Sequence, residues 1–199
     1  MHLLVMKCLV LLLLIPTFSF SQAKVDFARY TSVWVADKNP DPKGWIPDEI
    51  HSIDKNSPLS LQKSNDLTVF IPDSNRVILN NQSVYILGYL INNSCDTLLI
   101  DRCDATIYRS ETQIFVNGEW KLFQISMGSS CGNSYFKTQL PPQCYYVLHI
   151  NRPKPGDIET KFRVRFKFGD KEFFSNSCNV FLTKEEIKKA GKSIHPLSL

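Results

Sequence analysis

Regular repeats are missing from the sequence and glycine is scarce: 8 Gly and 11 Pro are scattered without period over 199 residues, which excludes collagen-like and linker-like chains. No Cys-x-x-Cys pair occurs, and the four histidines stand far apart with no metal-ligand spacing, so neither a metal or dithiol redox centre nor any other cofactor is expected. An excess of one charge is nearly absent too. The formal net charge of +4 is too mild to argue for nucleic acid. Beyond residue 21 no apolar run approaches the roughly 20 residues that span a bilayer, so no transmembrane segment is expected in the mature chain. The length excludes a large multidomain enzyme. What the sequence has is core material: 43% hydrophobic residues against 21% charged, with 13 Phe, 7 Tyr and 3 Trp, the composition of a packed globular protein.

Residues 1–21 read as a secretory signal peptide. Lys7 supplies the positive start, Leu9 to Ile15 the apolar stretch, and Ser21 the small residue before a cut, with Ala23 as the competing site. Cleavage removes Lys7 and Cys8 and leaves Cys95, Cys103, Cys131, Cys144 and Cys178. An exported chain meets an oxidising compartment, so disulfides are expected. Cys95 with Cys103 staples a strand connection, and Cys131 with Cys144 closes a segment holding Pro141 and Pro142, a loop worth about 3 kcal/mol in the chain-entropy picture. Cys178 is then left over. Other pairings of the five stay open.

Residues 22–66 form an extended segment interrupted by Pro40, Pro42, Pro47 and Pro58, with Trp34, Val35, Trp45 and Ile46 available to wrap a domain. Residues 67–182 are short β-rich runs divided by turn residues at the spacing of an antiparallel sandwich or barrel. The run Lys161 to Phe168 alternates without a fault, placing Phe162, Val164, Phe166 and Phe168 on one face and Lys161, Arg163, Arg165 and Lys167 on the other. Gly169-Asp170 and Asn117-Gly118 are hairpin turns. Val84 to Ile91 is apolar on both faces and reads as a central strand. In the tail, residues 183–199, Thr183-x-x-Glu186 is a capping box for one short helix that Gly191 ends.

Gly128-x-Ser130-x-Gly132 satisfies the nucleophile-elbow pattern, but an elbow opens into a helix, and here the chain runs into a β-like stretch and Pro141-Pro142. Cys131 with His149 as base is the thiol counterpart, set against a disulfide in an exported chain. Asp37, Asn39 and Asp41, with Asp48 behind them, have the spacing of a calcium loop, yet Pro42 occupies the position that needs glycine. The stripe Lys161, Arg163, Arg165 and Lys167 is the candidate anionic-ligand face, suited to an acidic glycan, a lipid head group or an acidic protein surface, or else a wet sheet face kept soluble by charge. No aromatic residue alternates with those cations on the wet side of the strand, a further reason not to expect nucleic acid. Asn81-Gln82-Ser83 and Asn92-Asn93-Ser94 are glycosylation sequons for a eukaryotic secretory path.

Gly118-x-Trp120, Ser130-Cys131-Gly132-Asn133-Ser134-Tyr135, Leu140-Pro141, Gly156, Thr160-Lys161-Phe162-Arg163 and Ser175-Asn176 stand in an order that resembles small secreted immunoglobulin-like proteins of Bacteroidetes-type bacteria. The leader ending Phe20-Ser21-Gln22 is similar to theirs, and the resemblance spans roughly residues 80–182. It implies an immunoglobulin-like antiparallel β-sandwich in an exported bacterial setting. The Cys-Trp-Cys spacing of antibody domains is absent. The expectation is therefore an all-β secreted or periplasmic module that binds a protein or glycan partner without catalysis. The alternatives are an exported inhibitor or immunity-type protein directed at an enzyme or toxin, and a hydrolase using Ser130 or Cys131.

Overall fold

The computed structural model describes residues 26–36, 50–54, 59, 66–78 and 84–192. The chain is mostly β, in two sheets. The first runs β1 (Tyr30–Thr31), β10 (Glu119–Ser126), β9 (Ser110–Val116), β13 (Ile158–Phe168), with β14 (Lys171–Phe174) and β15 (Cys178–Leu182) sharing the far side of β13. The second runs β11 (Tyr135–Leu140), β7 (Leu98–Cys103), β8 (Thr106–Ile107), β2 (Val33–Ala36), β12 (Cys144–Asn151), β6 (Val84–Asn92), β4 (Leu67–Phe70). Two short strands complete it, β3 (His51–Ser52) on β12 and β5 (Arg76–Ile78) on β6. Pairing is antiparallel except between β1 and β10, and a parallel bridge from Val69 to Ser175 ties the two sheets at one edge.

The period of two in β13 fixes what faces inward. Phe162, Val164 and Phe166 are fully buried, and they meet Val35, Leu90, Tyr146, Leu148 and Ile150 of the second sheet in one shared core. Each such side chain contributes about 1.5–3 kcal/mol by leaving water. The alternation that buries the phenylalanines turns Lys161, Arg163, Arg165 and Lys167 outward. Both expected hairpin turns form, with Asn117 and Gly118 at φ 55° and 83° and Gly169 at φ 58°.

Strand β6 is apolar on both faces because both are covered. Ile86 and Leu90 enter the shared core, while Leu87, Tyr89 and Ile91 meet Tyr145, Val147, Ile53 and Leu59 on the outside. The described residues of the segment 22–66 accordingly belong to the fold. They supply β1, β2 and β3, and β2 lies inside the second sheet between β8 and β12 with Val33 and Val35 buried. Four residues are too few to read as a strand from alternation alone, and β12 decides the matter by offering an open ladder. Trp45, Ile46 and the calcium-like Asp37 to Asp48 stretch lie outside the described residues, as does the leader.

Helix α1 (Lys184–Lys189) starts as its sequence requires: Thr183 Oγ1 accepts from the Glu186 amide at 3.3 Å while the Glu186 carboxylate accepts from the Thr183 amide at 3.1 Å. At its other end Arg29 donates to the carbonyls of Lys189 and Lys192, and Gly191, at φ 77°, donates its amide to Leu122 at 2.7 Å. The tail is thereby fastened to β10 and to the turn before β1. No helix among the described residues is long and apolar enough to cross a membrane.

Candidate functional site

On the outer face of the first sheet the four expected cations have different surroundings. Arg165 is spent inside the protein, its Nη2 at 3.0 Å from Glu111 on β9 and its Nη1 at 3.7 Å from Glu172 on β14. Arg163 is held differently. Its guanidinium carbon lies 4.2 Å from the centre of the Trp120 ring and 4.3 Å from that of Phe174, so the planar group is stacked on two aromatic rings. Nε donates to Gln113 Oε1 at 2.8 Å, and Nη1 and Nη2 have no hydrogen-bond partner among the described residues. Burial, and then the neighbouring Arg165, pull its pKa below the ordinary arginine value; the group remains charged. Lys161 and Lys167 are exposed and make no ion pair among the described residues.

The register explains the assembly. Arg163 pairs with Gln113, Trp120 with Phe115, and Phe174 with Arg165, so three strands deliver the stacking rings and the Nε acceptor to one guanidinium. Phe115 and Phe174 add exposed ring surface beside it, with Phe115 packed edge-on against Trp120, and Phe181 is exposed farther along the same sheet, opposite Glu159. Aromatic residues do stand among the cations on this face, contrary to the expectation from the strand alone. They come from β9, β10, β14 and β15, and only cross-strand register brings them in. The result is a surface carrying one guanidinium fork held by its neighbours, an ammonium at Lys161 with no ion pair among the described residues, and several ring faces.

The elbow-like loop is built as a tight turn. Tyr135 Oη donates to the Ser129 carbonyl at 2.7 Å and accepts the Ser129 amide at 2.8 Å, and Ser129 Oγ donates to Ser134 Oγ at 2.9 Å. A single 3-10 turn at Gly132–Ser134 then leads directly into β11, where the elbow pattern needs a helix. Ser130 and Cys131 are exposed on this loop. His149 sits on β12, buried and stacked 5.7 Å from Tyr85, its pKa lowered by that burial. It is not among the residues lining the cavities beside the loop. His51 stacks on Tyr145.

None of the five described cysteines is bridged in this structure, so neither expected staple, Cys95 with Cys103 or Cys131 with Cys144, is formed in it. Strand β7 stands between Cys95 and Cys103, and β11 between Cys131 and Cys144; five residue steps extend roughly 16 Å, while bridged cysteines need Cα atoms within about 7 Å. Cysteines close in sequence are thus held apart by the strands that join them. Cys178 lies on β15 opposite Phe162. Among the described residues no group of three or more His, Cys, Asp or Glu side chains is placed to hold a metal ion. The Asn92 sequon is structural: its fully buried amide donates to Asp96 and Leu140 carbonyls, both at 2.8 Å, and accepts from Ser94. Asn81 lies outside the described residues. No family model, no curated protein and no solved structure matches this chain.

Proposed function

We propose that the chain is an exported, non-catalytic binding module on an immunoglobulin-like sandwich, and that it engages an acidic glycan through the outer face of the first sheet. The observation that carries this reading is the guanidinium of Arg163, stacked on Trp120 and Phe174, fixed by Gln113, and left with no hydrogen-bond partner for its two Nη groups among the described residues. A fork held in one orientation loses little entropy on meeting a carboxylate or sulfate, and paired N–H donors match such oxyanions in geometry as well as charge. Exposed Phe174 and Phe115 offer apolar rings to the C–H faces of a sugar, and Lys161, about 7 Å along the strand, is placed for the next anionic group. Export rests on the leader at residues 1–21.

Affinity electrophoresis through immobilised polygalacturonate tests the reading. The full chain should be retarded, Arg163→Gln should migrate as in plain gel, and Arg163→Lys should not rescue, because an ammonium keeps the charge without the fork. Ser130→Ala and Cys131→Ala should be retarded like the unmodified chain. Equal retardation of Arg163→Gln overturns the assignment of this face.

A further inference from the structure

At one end of the two sheets a groove is formed by two cavities of about 530 and 420 Å³. Both are bounded by Tyr108, Arg109 and Tyr135, which form the divide between them. Cavities of this size suit a small ligand. The divide is fixed in advance: the Tyr108 and Tyr135 rings meet edge-on at 4.9 Å, and Tyr135 Oη is bonded both ways to the Ser129 backbone. Arg109 occupies a two-residue turn between β8 and β9 with a left-handed backbone, φ 57°, a strained conformation for arginine, and its guanidinium lies 5.5 Å from the centre of the Tyr108 ring.

The charges around the groove are unevenly satisfied. Lys137 is paired with Asp101 at 3.6 Å, and Glu111 is taken by Arg165. The buried Arg102 donates to the carbonyls of Thr106 and Asp104. Arg109 and Lys167 are left with no ion pair and no side-chain hydrogen bond among the described residues, and both border the smaller cavity. Apolar surface stands on either side of them, Phe136 in the larger cavity and Met127 in the smaller, each more than a third exposed. Two unmatched cations beside apolar walls form a site with one charge requirement and one hydrophobic requirement.

We propose that this groove binds a small amphipathic anion, a carboxylate or phosphomonoester group carried on an apolar ring or chain, with the anion at Arg109 and Lys167 and the apolar part against Tyr135 and its neighbours. The site borders the proposed glycan face and shares Lys167 with its row of cations, but it does not use Arg163 or the rings that hold it. Titration of the 15N-labelled full chain with phenyl phosphate and with benzoate tests it, with inorganic phosphate and benzyl alcohol as the charge-only and ring-only probes. At least one aryl anion should shift the amide signals of Arg109, Gly128, Ser129 and Lys167, and the tighter of the two identifies the anionic group. Inorganic phosphate and benzyl alcohol should bind at least about tenfold more weakly, the scale of losing one charge-assisted contact or one apolar ring. Arg109→Gly removes the cation while relieving the left-handed backbone, so it should keep the fold and lose affinity by at least about tenfold. Arg163→Gln should leave this binding unchanged. The proposal is overturned if neither aryl anion shifts those signals, if inorganic phosphate or benzyl alcohol binds as tightly as the better aryl anion, if Arg109→Gly binds as before, or if Arg163→Gln abolishes the effect.

Discussion

Arg163 and Arg165 are chemically identical and two residues apart on one strand, yet their neighbours give them opposite roles. Two carboxylates hold Arg165 inside the sheet's own network, and partly exposed pairs of that kind stabilise by no more than about 1 kcal/mol. Arg163 has rings where Arg165 has carboxylates, and its outer donors make no hydrogen bond among the described residues. The cysteines divide in the same way. Cys95 and Cys131 are exposed, whereas burial pushes the Cys103 thiol up and raises that of Cys178 to about 11. Iodoacetamide at pH 8 should therefore modify Cys95 and Cys131 in the folded protein and leave Cys178 more than about a hundredfold slower, since the thiolate is the reacting species. After denaturation without reductant all five should react. Peptide mass mapping reads both results, and rapid labelling of Cys178 in the folded chain, or fewer than five thiols in the denatured one, would contradict the thiol arrangement. The alternation of β13 was enough to place the four cations outward, but which of them retains free donors depends on Glu111, Glu172, Trp120 and Phe174, residues 7 to 54 positions from the arginine each one contacts, for which the chain carries no local signal.

Among the elements, the best-specified are those whose signals are local. The capping box of α1, the two hairpin turns and the alternating β13 form as their residues dictate, because each needs only neighbours within a few positions. The Thr183 cap contributes about 1 kcal/mol. Strand β15, by contrast, carries no clear alternation signal of its own and is fixed by its ladder with β13 from Ile158 to Phe162. Gly156 belongs to that docking. A Cβ there would stand 2.1 Å from the Leu182 carbonyl carbon and 2.2 Å from the Thr183 nitrogen, and its own amide donates to Phe181 at 3.0 Å. Backbone cannot yield as a side chain can, so Gly156→Ala should destabilise the protein by about 2 kcal/mol or more, at the upper end of single-site effects. The urea unfolding midpoint measures it; an unchanged midpoint would show that the 152–157 connection moves freely away from β15.

At the scale of the whole molecule, the described residues before 67 are part of the structure. Strand β2 closes the ladder between β8 and β12, and Leu59 and Ile53 cover the outer apolar face of β6. A chain beginning at Leu67 would expose the edge of β12 and the ring surface of Tyr145 and Tyr89. It should lose cooperative urea unfolding and bind a hydrophobic dye, while the full chain does neither; a sharp transition in the truncated chain would show that residues 67–199 fold alone. The β class, most strand positions, the turns and the terminal helix were legible because hydrophobic period and turn chemistry are local properties. The short strands β1, β2, β3 and β5 were not, since two to four residues carry too little pattern to stand out from loop. Sequence by itself determined which side chains of β13 face water and where the chain reverses. Only the tertiary structure decided that aromatic rings from three other strands converge around Arg163, that strands hold sequence-adjacent cysteines apart, and that Arg109 and Lys167 share one groove. Those relations depend on cross-strand register, which is set by the packing of the whole core and is written in no single stretch of the chain.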